Sequence, residues 1–248
     1  MKTRQLAYLA ISLLALIAMM ASCQASSDTV VVATDATWPP MEYVNEDREI
    51  VGYDIDLMNA IAEKAGFEVE FRNVAWDGIF AGLAAGEYDA VISSVTITDE
   101  RRENYDFSEP YINAGQIVVV RAESGITGPD DLQGYVVGAQ ISTTGAFAIQ
   151  DMEGVELREY DEVGLAFEDL VAGRIDAVVC DTPVAADFAL QRDEYRAALK
   201  IVGEAFTDEY YGILVQKGNT ELLDKINEGL AAVQAEGLDQ DLEAEWLR

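Results

Sequence analysis

The pattern of apolar and polar positions changes repeatedly between strand-like and helix-like periods along the first third of the chain. The β-branched run Thr29–Thr34 predicts a buried strand. Residues 52–66 carry apolar side chains at helical spacing and end at a glycine, which predicts a helix. A half-exposed strand is predicted at 67–71, a second helix at 76–86 and a buried strand at 90–92. Strands and helices that alternate with short connections are typical of a parallel α/β sheet.

The remainder of the chain shows the same two patterns. The predicted elements are strands at 115–120, 135–139 and 210–216 and helices at 163–173, 182–191 and 219–246. Ser142–Gly145 is predicted to cap a further helix, whose free N–H groups suit an anion. After the first strand, two prolines at 39 and 40 fix φ and predict a rigid loop.

A short sequence repeat relates the two halves of the chain. Leu83–Val91 matches Leu170–Val178 at a constant offset of 87 residues, sharing Leu, Ala, Gly, Asp, Ala and Val. The offset sets Asp181 opposite Ser94, each just beyond the carboxyl end of a buried strand, where α/β sheets bind ligands. We interpret the repeat as two lobes of similar construction that face each other across a cleft. A chance match of ordinary helix–strand connections is the alternative.

The connections between the two lobes are predicted from two strongly β-forming segments. The edges near 112–115 and 206–211 are expected to pair as hinge strands. Lobe 1 would then comprise residues 29–113 plus 207–248, and lobe 2 residues 114–206, with the C-terminal helical part packing back on lobe 1. Each lobe is expected to be a mixed, mostly parallel sheet flanked by helices.

The segment 89–101 carries the first candidate chemistry. Its apolar start turns abruptly into a polar run that includes Ser93, Ser94 and Thr96, and Asp99 is the predicted N-cap of a short helix containing Arg101. Hydroxyls, backbone N–H groups and a guanidinium fork are the donors that hold a carboxylate. A plain strand-to-helix connection with a surface arginine is the alternative.

Composition excludes several classes of function. The formal charge is −30, which argues against nucleic-acid binding. The chain has no histidine, so Ser-His-Asp and Cys-His catalysis and most zinc sites are excluded. No metal, cofactor or catalytic residue is predicted. Cys180 ends an apolar run and is expected to be a small buried hydrophobic residue.

A leader is predicted over residues 1–22, where Lys2 and Arg4 precede an apolar run. Small residues before Cys23 resemble a bacterial lipoprotein signal, in which cleavage leaves Cys23 as the acylated first residue of a tether at 23–28. The expected location is extracytoplasmic, in the periplasm or at the outer face of the cell membrane, held by the lipid anchor. A simple secretory signal and a transmembrane anchor are the alternatives.

The run Gly52–Leu57, with the apolar residues that follow it, resembles the signature of the family 3 extracellular solute-binding proteins, the polar amino-acid receptors of ABC importers. The resemblance covers residues 29–248 and implies a two-lobe α/β fold of the type II periplasmic-binding-protein kind. It also implies a monomer that closes on a small-molecule amino acid and meets a transmembrane permease. It implies that Arg101 binds the α-carboxylate with help from Ser94 and Thr96, and that Asp181 takes the α-ammonium. The other implied ligand-binding residues are Ser93, Ser142 and Thr143, the aromatic walls Trp38 and Trp76, and Asp35 near the far end of the ligand side chain.

Asp35, the two tryptophan faces and the acidic composition favour arginine, lysine or ornithine as the ligand. Glutamine is the second candidate, because its amide can also donate to Asp35, and other polar amino acids are the third. A dehydratase-like enzyme on the same scaffold would need a general acid or base such as Asp35, Glu42 or Asp181. A sensory ectodomain would need a membrane-spanning and signalling segment after Arg248.

Overall fold

A computed structural model describes residues 29–247; the predicted leader, the tether and Cys23 lie outside the described residues. The strands in that range are β1 (Thr29–Thr34), β2 (Thr37–Trp38), β3 (Glu42–Val44), β4 (Ile50–Val51), β5 (Glu68–Asn73), β6 (Ala90–Val91), β7 (Tyr105–Phe107), β8 (Ile112–Asn113), β9 (Gln116–Arg121), β10 (Val136–Gln140), β11 (Glu156–Tyr160), β12 (Ala177–Asp181), β13 (Leu199–Val202), β14 (Tyr210–Tyr211) and β15 (Leu214–Gln216). The α-helices are α1 (Tyr53–Ala65), α2 (Trp76–Ala85), α3 (Asp99–Asn104), α4 (Thr144–Gln150), α5 (Val163–Val171), α6 (Thr182–Ala186), α7 (Thr220–Glu236) and α8 (Leu238–Trp246).

Two five-stranded sheets form the centre of the molecule, in the orders β5-β1-β6-β15-β7 and β11-β10-β12-β9-β13. Four strands of each sheet run in one direction, and only β15 in the first sheet and β9 in the second oppose them. The mixed, mostly parallel α/β architecture is therefore confirmed. The lobe limits at 113/114 and 206/207 stay a prediction.

The sequence repeat is visible in the backbone. Gly86 and Gly173 both adopt left-handed φ values, 74° and 71°, and each turns the chain into the strand at the centre of its sheet. The repeated aspartates have one role: Asp89 Oδ2 accepts from Val31 N at 2.8 Å, and Asp176 Oδ2 accepts from Val136 N at 3.0 Å. Each carboxylate fixes the start of a neighbouring strand, so the shared motif is a structural device that delivers two strands to one cleft.

The C-terminal helices pack against α1, as predicted. Gly229 of α7 lies so close to α1 that an added Cβ would come within 2.5 Å of the Ile61 carbonyl oxygen, so a glycine is required there. Trp246 Nε1 also donates to Asp56 Oδ2 at 2.9 Å. The segment 219–246 is helical, as predicted, and Gly237, with φ 75°, divides it into α7 and α8.

The segments that connect the two sheets include the predicted pair, β8 and β14, which is antiparallel. The strand expected over 210–216 is divided into β14 and β15. The helix expected over 182–191 changes at Asp187 from α to a π-helical turn. The segment after β1, predicted as a rigid loop, also contains the three-stranded ribbon β2-β3-β4. Two- and three-residue strands are too short to show a period of two, so they escape pattern reading.

Cys180 is buried, as expected, with 1% of its surface exposed. Among residues 29–247, no helix combines the length and apolar character that crossing a membrane requires.

Candidate functional site

A cavity with about 320 Å³ of atom-free space lies between the two sheets. The residues around it are polar or aromatic and come from both halves of the chain: Asp35, Trp38, Glu42, Trp76, Ser93, Ser94, Thr96, Arg101, Gln140, Thr143, Thr144 and Asp181. The structure therefore brings together all the predicted ligand-binding residues except Ser142. Ser142 lies beside the cavity, where its carbonyl oxygen accepts from Arg101 Nη2 at 3.4 Å.

Arg101 lies at one end of the cavity, on α3. The N-cap of that helix is Thr98, whose hydroxyl accepts from Arg101 N; the prediction of Asp99 as N-cap was wrong by one residue, because Asp99 is already helical. The guanidinium donates to the Thr96 carbonyl at 2.9 Å and lies 5.6 Å from the centre of the Trp76 ring. Within the described residues, it has no carboxylate within 4.0 Å.

The electrostatics of Arg101 favour an incoming anion. Burial lowers the pKa of Arg101 to about 10, and the negative charges of Asp181, Glu209 and Glu100 oppose that shift. The guanidinium therefore stays protonated at neutral pH. Arg101 is half-buried, and a cation partly removed from water without an ion-pair partner is unfavourable, so a carboxylate bound here would be stabilised.

Asp181 is the last residue of the central strand β12 and is 5% exposed. Its Oδ1 accepts from Gln116 Nε2 at 3.0 Å. Burial, reinforced by the charge of Glu209 and opposed by Arg101, raises the pKa of Asp181 to about 7. This carboxyl group therefore lies near its titration point at neutral pH, and a neighbouring cation would favour its ionised form.

Asp35 lies on the loop after β1 and lines the same cavity as the two tryptophans. Its Oδ1 accepts from the Thr37 hydroxyl at 3.0 Å, and its Oδ2 accepts from Gln140 Nε2, across the cavity, also at 3.0 Å. Burial raises the pKa of Asp35, and the charges of Glu162 and Asp77 raise it further. Because Thr37 is only two residues further along the chain, this contact also stabilises the loop that carries Asp35.

Gln140 was missed in the sequence. It ends β10, is 2% exposed, and directs its amide nitrogen to Asp35. Its Oε1 is buried and has no hydrogen-bond partner within residues 29–247. Because the opposite amide orientation would bring two acceptors together, Oε1 is fixed as a second acceptor beside Asp35. The strand-end position that identified Ser94 and Asp181 would also have identified Gln140.

The two tryptophans combine wall and core functions. Trp38 and Trp76 are each 7% exposed, and both belong to hydrophobic clusters as well as to the cavity wall. Trp76 begins α2 and packs edge-on against Phe80 at 5.1 Å. Both tryptophans therefore pack in the hydrophobic core and also form part of the cavity wall.

The serine pair after β6 rests on two buried carboxyl groups. Ser93 and Ser94 donate their hydroxyl hydrogens to Glu42, at 3.0 and 3.2 Å, and Ser94 N donates to Asp54 Oδ2 at 2.7 Å. Burial and the nearby charge of Asp54 hold the pKa of Glu42 well above its usual range. Ser94 has φ 50°, so this contact set fixes an unusual backbone conformation at the cavity wall.

A second missed residue, Glu209, lies behind the cavity wall on the segment before β14. Its Oε2 accepts from the hydroxyls of Thr96 at 2.9 Å and Thr144 at 2.6 Å. Nothing in the polar stretch 203–209 distinguishes this glutamate, because its partners are 113 and 65 residues away.

An acidic cavity of about 520 Å³ adjoins the site at the Asp35 end. It shares Asp35 and Trp76 with the first cavity, and its other carboxylates come from Asp77, Asp161 and Glu162. Four carboxyl groups therefore lie around this part of the site, where they favour a cation.

Comparison with known proteins agrees with this geometry. The family model "Bacterial extracellular solute-binding proteins, family 3" matches residues 30–248. The L-cystine-binding protein TcyJ of Escherichia coli (strain K12) is 34% identical over 221 residues, covering 88% of this chain and 82% of the relative. The ABC transporter arginine-binding protein 1 of the same strain is 35% identical over 240 residues, covering 94% and 97%. A solved structure of an ancestral arginine-binding protein bound to arginine is 42% identical, with a TM-score of 0.84, and covers 89% of this chain and 98% of that one.

Proposed function

We propose, from the premise that this chain belongs to the bacterial extracellular solute-binding proteins of family 3, that it closes on a basic amino acid and delivers it to an ABC transporter permease. Arginine, lysine and ornithine are the proposed ligands. The observation that carries this proposal is the paired acceptor site of Asp35 and Gln140, which lines the same cavity as Arg101.

The α-carboxylate is assigned to Arg101. Its guanidinium has no carboxylate partner in the described part of the chain, and the planar fork binds both oxygens of a carboxylate. Thr143, at the N-cap of α4, reaches the same end from the second sheet, with Ser142 beside it. Closure of the cleft would therefore complete the carboxylate site.

The α-ammonium is assigned to Asp181, supported by Ser94. The hydroxyl hydrogen of Ser94 goes to Glu42, which leaves oxygen lone pairs for the ligand. Ser94 therefore suits an ammonium better than a carboxylate, and Ser93 acts on the same turn by accepting from Asp35 N at 2.9 Å. Arg101 and Asp181 come from opposite sheets, so the open cleft would hold only one end of the zwitterion.

The ligand side chain is assigned to the space between Trp38 and Trp76, with its cationic end at Asp35. A guanidinium has five N–H donors, which match the free lone pairs of Asp35 and Gln140 Oε1. The aromatic faces can stabilise the same cation. The carboxylates of the adjoining acidic cavity add a favourable field.

Glutamine is the second candidate, because its side-chain amide can donate two hydrogens to the same acceptors. It would gain nothing from the negative field around Asp35, and for that reason it ranks below arginine. Catalysis is not part of the proposal: a zwitterion fully paired by Arg101 and Asp181 leaves neither group free as a general acid or base.

Membrane attachment through an acylated Cys23, after removal of residues 1–22, completes the proposal and concerns residues outside the described range. A monomer held by such a tether would reach its permease without long-range diffusion.

A thermal-shift screen of the twenty amino acids, ornithine and cystine tests the function. A ligand that binds only the folded state raises the melting temperature by mass action. Arginine, lysine or ornithine should give the largest increase. A larger shift with glutamine or cystine would overturn the basic specificity, and no shift with any amino acid would overturn the binding function.

A further inference from the structure

Glu209 occupies a central position in the contact between the two halves of the molecule. Its carboxylate accepts hydrogen bonds from Thr96 on the side of the first sheet and from Thr144 at the start of α4, on the side of the second. Thr207 donates to its other oxygen at 2.7 Å. Thr96 and Thr144 line the cavity, whereas Glu209 lies behind them.

The hydroxyl hydrogens determine what this wall offers to a ligand. Each hydroxyl has one hydrogen, and a carboxylate oxygen is the stronger acceptor for it. Thr96 and Thr144 are 3.3 Å apart, and both contact Glu209 Oε2 more closely than they contact each other. Both threonine oxygens are consequently left with lone pairs towards other donors.

Gln116 joins this group to Asp181. Its amide nitrogen lies 3.0 Å from Asp181 Oδ1, 3.1 Å from Thr144 Oγ1 and 3.4 Å from Glu209 Oε2. Gln116 is fully buried on β9, so its amide group has a fixed direction. The oxygens of Thr96, Thr144 and Asp181 therefore form one wall that consists of acceptors.

We propose that Glu209 is a positioning residue, which turns the threonine hydroxyls into acceptors for the ligand ammonium when the two lobes close. The proposal rests on the proposed function, since it assumes an α-amino acid in this cleft. Thr96 and Thr144 belong to opposite lobes, so their joint contact with Glu209 exists only in the closed arrangement. Glu209 thereby links closure to recognition of the ammonium group without touching the ligand.

The test compares L-arginine with 5-guanidinopentanoate, which lacks only the α-ammonium, by calorimetry. Glu209→Gln retains the size of the side chain but removes its charge, so the threonine hydroxyls can turn. The preference for arginine over the analogue should fall about 10-fold or more in this variant, the effect of losing hydrogen bonds to a charged group. Glu204→Gln, at an exposed carboxylate of the same segment, is the matched control and should leave the preference unchanged.

A purely structural role would weaken both ligands alike, so an unchanged preference in Glu209→Gln would overturn the proposal. If that variant does not fold, Thr144→Val removes the hydroxyl that lies nearer to Glu209 and should lower the same preference for arginine. An unchanged preference in Thr144→Val would also overturn the proposal. The two proposals fail separately. A wild-type protein that binds no amino acid overturns the proposed function, whereas a wild type that binds arginine and an unchanged variant preference overturn only the role of Glu209.

Discussion

The affinity of the cleft for an amino acid is predicted to depend on pH through Asp181. Burial first, and then the charge of Glu209, raise the pKa of this carboxyl group to about 7, with Arg101 opposing. An ammonium group bound beside it favours the carboxylate, so the pKa falls in the complex. Below pH 7 the Asp181 carboxyl group of the free protein is mostly protonated, and this proton must leave before the ammonium binds. Affinity should therefore rise with pH and level off above about pH 7.

The size of the effect follows from the same pKa. One pH unit below the pKa of the free protein corresponds to about 1.4 kcal/mol, or a tenfold change in affinity. At pH 5 the amino acid should accordingly bind about 100-fold more weakly than at pH 8. Close to one proton should be released per ligand bound at pH 5, and about half a proton near pH 7.

Isothermal titration calorimetry at pH 5, 6, 7 and 8, in two buffers with different ionisation enthalpies, measures both quantities. Burial also raises the pKa of Asp35, so a cationic side chain adds its own pH dependence. 5-Guanidinopentanoate keeps that side chain and lacks the ammonium, and the difference between the two ligands isolates Asp181. Equal pH dependence for the two ligands, with no proton release specific to arginine, would refute the reasoning.

Three substitutions extend the account. Arg101→Ala should weaken amino-acid binding by several kcal/mol, because it leaves the ligand carboxylate buried and unpaired; unchanged calorimetric affinity would contradict the assignment. Asp35→Asn should weaken arginine more than glutamine, and equal losses would count against a basic ligand. Asp181→Asn should abolish binding yet raise the melting temperature of the ligand-free protein at pH 8. The pKa of Asp181 in the folded state lies above its unfolded value, so its ionisation destabilises the fold as pH rises from about 4 to 7. The increase in melting temperature should be smaller at pH 5. An equal increase at pH 5 and pH 8 would show that ionisation of Asp181 does not destabilise the fold.

Much of the fold and of the site was predictable from local patterns. Strand β1 and helix α1 follow from residue periodicity, and α1 ends at Gly66 with φ 78° because a glycine adopts that conformation without strain. The repeat that relates Ser94 to Asp181 identified two strand ends that line one cavity. These features are encoded within short stretches of sequence.

The remaining features depend on contacts between distant residues. Gln140 acquires its direction from Asp35, 105 residues earlier, and Glu209 has its partners Thr96 and Thr144 at distances of 113 and 65 residues along the chain. The role of Ser94 also changes with its surroundings, because its hydroxyl hydrogen belongs to Glu42, 52 residues away. No local pattern reports such pairings, and for that reason the hydrogen-bond directions of the site had to come from the structure.

A crystal structure of the protein with L-arginine tests the central claim most directly. The account predicts the carboxylate within hydrogen-bonding distance of Arg101, the ammonium at Asp181, and the guanidinium between the tryptophans with its N–H groups on Asp35 and Gln140 Oε1. A guanidinium directed away from Asp35, or an α-ammonium at Arg101's end of the cavity, would contradict it.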